Sequence, residues 1–172
     1  MTPAGVWLDS AVIVRAVYPS EMGAAGELRV DAYQAQGLLA VKPDYADTLR
    51  ALGADGHGKV LVAVEDDRML GTVMLEAWHP ASEVARGTDE AEIRALAVAP
   101  QAQGHGVGRA LVRTVIDQAA ACGMRWLMLS TQPAMTAAQR LYVAEGFIRI
   151  PDRDWTPVAG LTLLAFGRRL TG

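Results

Sequence analysis

Short apolar runs alternate along this chain with longer segments in which apolar residues recur every three or four positions. The short runs predict buried strands, and the longer periodic segments predict amphipathic helices. The predicted strands cover residues 11–17, 59–64, 69–75, 92–98, 126–129, 147–150 and 161–166. The predicted helices cover residues 20–36, 45–52, 107–121 and 134–145. The expected order of elements is therefore β-α-α-β-β-β-α-β-α-β-β.

Three connections between these elements differ in what they predict. Residues 65–68, Glu-Asp-Asp-Arg, are turn formers between two strands and predict an antiparallel hairpin. Residues 77–91 have no clear period, and a loop of that length in a compact domain is usually functional or mobile. Residues 151–160 are interpreted as an irregular stretch before the last strand.

The most informative loop joins the strand at 92–98 to the helix at 107–121 and has a glycine at every second position. Its residues are Gln103, Gly104, His105, Gly106, Val107 and Gly108. Glycines leave successive backbone N–H groups uncovered, and the positive end of the helix dipole lies at the same place. The loop therefore predicts an anion site of the kind that holds a pyrophosphate, with Arg109 adding a charge-assisted contact.

Two familiar phosphate-binding loops do not match these residues. A P-loop ends in Gly-Lys-Ser/Thr, whereas here Gly108 is followed by Arg109 and Ala110. A dinucleotide fingerprint needs a third glycine where Arg109 stands, and an acid at the end of the next strand, which here ends in Ser130 and Thr131. Both motifs are excluded on named residues.

The loop does match Gln-x-x-Gly-x-Gly preceded by Val-x-Pro at 98–100, and residues 138–147 match A-x-x-L-Y-x-x-x-G-F. Together the two blocks resemble the GNAT superfamily, the acyl-CoA-dependent N-acyltransferases, over residues 92–147. The resemblance implies an α/β fold with a mixed, mostly antiparallel central sheet of about seven strands. It also implies that the central pair of strands splays apart and that helices cover both faces.

In the resembling family the arm of coenzyme A enters the gap between the splayed strands. The resemblance therefore implies acetyl-CoA as cosubstrate, with its pantetheine pairing against the backbone of Leu96, Ala97 and Val98. A backbone N–H at this place would also polarise the thioester carbonyl. Met135 departs from the family pattern, because many members carry there an asparagine that binds the pantetheine.

Acyl transfer to an amine needs a neutral amine and a proton for the leaving thiolate. Tyr142 takes the position of the family tyrosine that protonates the sulfur and is the predicted proton donor, and its place on an apolar helix face leaves a core tyrosine as the alternative. The first candidate for the base is Glu92, at the head of its strand, acting through a water. Glu90 and Asp89 are alternatives, as is a solvated Glu92 in an enzyme without a dedicated base.

Composition limits the remaining possibilities. The 172 residues, of which 51% are hydrophobic, predict a single domain spanning 1–172. The net charge of −3 argues against nucleic acid as a partner. A single cysteine, Cys122, excludes an internal disulfide, and the histidines show no metal-ligand spacing. Without a signal peptide or a run of 18 apolar residues, a cytoplasmic protein with no membrane association is expected.

The acceptor pocket is expected from variable segments: residues 33–45, the loop with Trp78, His79 and Arg86, and residues 153–155. Two tryptophans, Trp78 and Trp155, would hold a partly apolar amine whose charge pairs with Asp154. The same tryptophans are also consistent with covers over the core or with contacts in a homodimer.

Three functions remain open at this level. The first is an acetyl-CoA-dependent N-acetyltransferase acting on a small-molecule amine by direct attack in a ternary complex, because no credible nucleophile is present. The second is the same reaction on a protein amine. The third is a non-catalytic module that binds acyl-CoA.

Overall fold

All seven predicted strands and all four predicted helices are found within residues 12–171, the part of the chain that the computed structural model describes. Residue 11 of the first predicted strand lies outside this part. The strands are β1 (Val12–Ala16), β2 (Lys59–Glu65), β3 (Arg68–Ala77), β4 (Glu90–Val98), β5 (Trp126–Thr131), β6 (Ile148–Arg149), β7 (Trp155–Val158) and β8 (Leu161–Arg169). The helices are α1 (Met22–Ala35), α2 (Tyr45–Ala51), α3 (Val107–Ala121) and α4 (Thr136–Ala144).

The strands form one mixed sheet in the order β1-β2-β3-β4-β5-β8-β6, and β7 pairs with β8. The β4–β5 pair is parallel, and the other pairs are antiparallel. The mixed, mostly antiparallel sheet expected from the sequence is therefore confirmed. Among the described residues, no helix is long and apolar enough to cross a bilayer.

Successive side chains of β2 point to opposite faces of the sheet, and those on both faces are apolar and packed against helices. Leu61 and Ala63 lie in the core cluster that contains the apolar side of α3. Val62 and Val64 point to the other face and pack with Ala25 of α1. Because both faces are covered, the strand is an unbroken apolar run rather than an alternating one.

Several boundaries differ from the prediction by two or three residues, and two differences have a clear physical reason. The stretch interpreted as irregular contains β7, which has half-buried ends, an exposed centre and a proline at Pro157. Proline is found only in edge strands or at bulges, so such a segment lacks the pattern of a central strand. β4 begins at Glu90 instead of Glu92. The earlier start was not predicted because Glu90 is a carboxylate, a residue type that is seldom buried, yet the structure buries both Glu90 and Glu92.

The central pair of strands separates as the resemblance implied. β4 pairs with β5 only at Glu90–Glu92 and Trp126–Met128, and the strands diverge beyond these residues. On its other side β4 carries a bulge, because Met74 pairs with Arg94 whereas Thr72 pairs with Ala97. Ala95 within the bulge has a φ of 52°. This left-handed conformation costs a non-glycine residue about 1–2 kcal/mol, which the surrounding pairs must offset.

Candidate active site

Two cavities flank the gap between β4 and β5. The outer cavity, of about 530 Å³, lies over the glycine loop and the end of β4. The inner cavity, of about 330 Å³, lies between β4, β5, the α1–α2 connection and the β7–β8 hairpin. Among residues 12–171, Tyr33 and Met135 are the two that line both cavities. A group that spans the two cavities would therefore pass these two side chains.

The glycine loop and the first turn of α3 present backbone N–H groups for which the described residues supply no acceptor. Gly104 and Gly106 have φ of 81° and 80°, and a Cβ at either position would meet nothing within 4 Å. The first intrahelical bond runs from Ala110 N to Gly106 O, and Gly106 caps α3 without a side-chain hydrogen bond. The N–H groups of the first turn therefore lack partners, beside open space. This arrangement fits a pyrophosphate.

Of the remaining loop residues, Gln103 and Val107 line the outer cavity, together with Gly108 and Arg109. His105 is exposed and does not line it. Arg109 lies beside the glycine loop, where it was expected, but its Nε is 3.3 Å from Glu145 Oε1. An anion at the loop would therefore share this guanidinium with a carboxylate from the end of α4.

Leu96, Ala97 and Val98 line the outer cavity beyond the point where β5 leaves β4. Their other side pairs with β3, through Ala97 with Thr72 and Val98 with Gly71. The strand edge that faces the gap is consequently available for an extended ligand to add as a further strand.

Met135 lines both cavities and is buried. Thr131 donates a hydrogen bond from its Oγ1 to the Met135 Sδ over 3.4 Å. A thioether is only a weak acceptor, so this residue contributes shape rather than a strong polar contact to the junction.

Tyr142 is buried within the core, where its ring lies edge-on to Phe147 at 5.7 Å and tilted toward Phe166 at 6.3 Å. It does not line either cavity, and its hydroxyl makes no hydrogen bond within the described chain. Burial raises the pKa of the Tyr142 phenol above its usual value near 10. The phenol is therefore protonated at neutral pH, and its burial makes it a weaker acid than an exposed tyrosine.

Glu92 lines the inner cavity and is buried, with 2% of its surface exposed. Its Oε1 accepts hydrogen bonds from the backbone N–H groups of Val84 and Ala85, the latter at 2.5 Å. The side chain predicted as the base, with a solvated strand-end carboxylate as the alternative, is thus enclosed, and one of its oxygens anchors the long loop.

The loop at 78–89, which lacked any sequence period, is held by ion pairs. Arg94 binds Glu83 of the loop through Nη2, and its Nη1 lies 3.6 Å from Glu76 Oε2. Glu90 binds Arg153 and accepts from Arg86 N at 3.2 Å. Glu83 and Arg94 line the inner cavity. Neither was predicted, because only the register of β4 and the path of the loop bring them together.

Each segment predicted for the acceptor contributes side chains to the inner cavity, although most of the residues named within the two later segments do not line it. Trp155 lines the inner cavity, whereas Trp78 does not. Asp154 pairs with Arg149 at 2.7 and 2.8 Å and accepts from Ala165 N. This salt bridge lowers the pKa of the Asp154 carboxyl, which links Arg149 to the backbone of β8 at Ala165. The prediction that Asp154 pairs with the acceptor is therefore unsupported, and the cavity's carboxylates are Glu83 and Glu92.

No group of three or more His, Cys, Asp or Glu side chains within residues 12–171 has the arrangement of a metal site. Cys122 is exposed at the end of α3. The glycine loop begins the same helix, so the thiol lies at its opposite end.

Residues 26–147 match the family model described as the acetyltransferase (GNAT) family. The chain is similar to N-acetyltransferase 8B of Rattus norvegicus, with 28% identity over 144 residues, which are 84% of this chain and 62% of that protein. It is also similar to the mycothiol acetyltransferase of Cellulomonas flavigena, with 37% identity over 92 residues, 52% of this chain and 26% of that one. The chain thus spans less than two thirds of the length of these relatives.

Among solved structures, an acetyltransferase from Salmonella typhimurium determined with its cofactor acetyl-CoA has a TM-score of 0.69. The match covers 94% of this chain and 95% of that chain at 22% sequence identity. At this level of identity, the likeness establishes the fold.

Proposed function

Because the chain belongs to the acetyltransferase (GNAT) family, we propose that it moves the acetyl group of acetyl-CoA to a primary amine of a small molecule. One observation carries the proposal. The gap between β4 and β5 joins a cavity over unpaired backbone N–H groups to a second cavity lined by the buried Glu92 and the half-buried Glu83. The first fits a diphosphate-bearing cosubstrate, and the second fits a cationic acceptor.

The proposed binding uses mainly backbone. The N–H groups from Gly104 to Arg109 would hold the pyrophosphate, and the free edge of Leu96–Val98 would hold the pantetheine. Acetyl-CoA supplies the activated acetyl group when bound. Since Cys122 lies at the far end of α3, we propose direct attack by the amine in a ternary complex.

Two side chains would manage protons in this proposal. Glu92 would accept a proton from the acceptor ammonium, directly or through a water, because it lines the inner cavity and is held by two backbone donors. Tyr142, which takes the position of the family tyrosine in the motif at 138–147, would give its proton to the departing thiolate. Positioned groups of this kind contribute roughly 10²–10⁴-fold each.

A small-molecule acceptor is favoured over a protein amine by the walls of the inner cavity. It is lined on one side by the α1–α2 connection, through Leu38 and Tyr45, and on another by the β7–β8 hairpin, through Trp155 and Leu163. Its volume of about 330 Å³ lies at the small end of the range of about 300–1,000 Å³ for ligand pockets.

The test is calorimetric titration with acetyl-CoA, followed by an assay of free thiol across a panel of amines. Gly106→Ala is compared with Gly123→Ala, because both glycines have φ of 80°, both have open space around the Cβ position, and they lie at opposite ends of α3. Both variants carry the same backbone strain. We expect only Gly106→Ala to weaken acetyl-CoA binding, by about tenfold or more.

The outcomes separate the candidate functions. Binding with turnover of an amine supports the enzyme. Binding without turnover of any amine favours a non-catalytic acyl-CoA module. If acetyl-CoA does not bind, or if the two glycine variants lose affinity equally, the assignment of the loop is wrong.

A further inference from the structure

Three carboxylates and one guanidinium lie together beside the inner cavity. Glu76 pairs with Glu92 across β3 and β4, and both are buried. The loop adds Glu83, and Arg94 pairs with Glu83 and Glu76, whereas Glu76 also lies 2.6 Å from His79 Nε2. Desolvation, followed by the charges of Glu92 and Glu76, raises the pKa of the Glu83 carboxyl despite its pairing with Arg94. A cation placed here would be stabilised.

Arg94 is not available to an anionic ligand. Its Nη2 is bound by Glu83, and its Nη1 faces Glu76 at 3.6 Å. A carboxylate on the acceptor beside its amine would therefore meet Glu92 and Glu83 without a free guanidinium to compensate. Like charges in a partly desolvated site are costly, so the part of the cavity lined by Glu83 and Glu92 selects against such an acceptor.

The opposite wall of the cavity is apolar because of the alternation in the β7–β8 hairpin. Trp155 and Pro157 on β7, and Leu161 and Leu163 on β8, all line the cavity. The side chains between them point the other way. Thr156 and Thr162 are exposed on that outer face, with their hydroxyls 2.9 Å apart.

The aromatic residues of this cavity are held in place. Trp155 donates from Nε1 to Ser130 Oγ at 3.2 Å. Tyr33 and Tyr45 face each other across 6.2 Å on the side of α1 and α2. An apolar group that entered the cavity would therefore contact fixed aromatic and aliphatic surfaces, with little ordering cost to the protein.

We infer that the acceptor is a primary amine carried on an apolar or aromatic body, with no carboxylate beside the amine, an inference that rests on the proposed function. The ammonium lies toward Glu92 and Glu83, and the body lies against Trp155, Leu161 and Leu163. The two cavities share Tyr33 and Met135, and there the acceptor would meet the acetyl group.

Lys42 could favour a competing class of acceptor, the amino acids, because its ammonium could pair with their carboxylate. It lines the same cavity, is half-exposed, and has no ion pair within the described chain. An amino acid whose carboxylate reached Lys42 would use it. The test therefore includes an acceptor of that kind.

The experiment compares phenethylamine, phenylalanine and putrescine as acceptors, with kcat/KM measured by thiol release. We expect phenethylamine to exceed each of the others by at least about tenfold. Trp155→Ala should lower kcat/KM for phenethylamine about tenfold, mainly through KM, and lower that for ethylamine much less. Thr156→Ala, which changes the adjacent residue on the outer face, is the matched control and should leave both values unchanged.

Phenethylamine binding is also titrated calorimetrically in the presence of coenzyme A, because this readout involves no chemistry. Binding without turnover of any amine would retain the acceptor class and overturn the proposed function. Efficient turnover of phenylalanine or putrescine with poor use of phenethylamine would overturn the acceptor class and leave the proposed function intact. Equal effects of Trp155→Ala and Thr156→Ala would also contradict it.

Discussion

Replacing Tyr142 by phenylalanine separates catalysis from stability in this protein. The substitution removes one hydroxyl that has no hydrogen-bond partner within the described chain, and it keeps the ring between Phe147 and Phe166. A lost hydrogen bond typically costs about 0.5–1.5 kcal/mol of unfolding free energy. Because none is lost here, we expect the unfolding free energy to change by less than about 0.5 kcal/mol.

Turnover should respond very differently. If the Tyr142 phenol supplies the proton to the thiolate, its removal should lower kcat about 10²-fold, which corresponds to about 2.7 kcal/mol in the barrier. The affinity for acetyl-CoA should be unchanged, because Tyr142 does not line the outer cavity. The measurements are thiol release at saturating substrates, calorimetric titration with acetyl-CoA, and urea denaturation.

Tyr33→Phe is the comparison, since Tyr33 is the tyrosine that lines both cavities. Burial raises the pKa of the Tyr33 phenol too, so it is also a donor at neutral pH. If Tyr142→Phe keeps more than about a tenth of the turnover, the assignment of Tyr142 is refuted. If Tyr33→Phe alone loses turnover, the proton comes from the junction of the cavities instead.

Two further substitutions test the bulge and the loop arginine. Ala95→Gly removes the strain of a left-handed alanine and should change the unfolding free energy, measured in denaturant melts, by about 0 to +1 kcal/mol. Ala91→Gly, in the regular part of β4, should lower it by about 1–2 kcal/mol. Equal losses would contradict strain at the bulge. Glu145→Gln should release Arg109 and tighten acetyl-CoA binding up to about fivefold at low salt, more than the charge-matched Asp117→Asn on α3. Weaker binding would show that Glu145 orients the arginine.

The sequence predicted most of the fold because its signals are local. The apolar runs of β2 and β3 are continuous where both faces are covered, and the stripe of α3 recurs with helical spacing. β7 was missed because its exposed centre and Pro157 give no strand pattern. Its pairing with β8 exists only after the chain turns back at the hairpin.

The candidate site divides in the same way. The glycine loop could be assigned from its residues, because the positive φ of Gly104 and Gly106 and the start of α3 depend on neighbours in the chain. The residues that line the inner cavity could not be assigned in this way. Asp154 was expected there, but it is paired with Arg149 instead. Glu83 lines the cavity and belongs to a loop that had no sequence pattern.

By itself, then, the sequence determined the order of the elements other than β7, the glycine loop at the start of α3 and the family's two motifs, since each rests on residues a few positions apart. The tertiary structure alone decided how charge is distributed around the gap. Arg153 binds Glu90 from 63 residues away, and Glu92 turns from a strand-end carboxylate into the enclosed anchor of a loop. Such pairs form because burial penalises any unpaired charge, and no local pattern records which distant partner satisfies it.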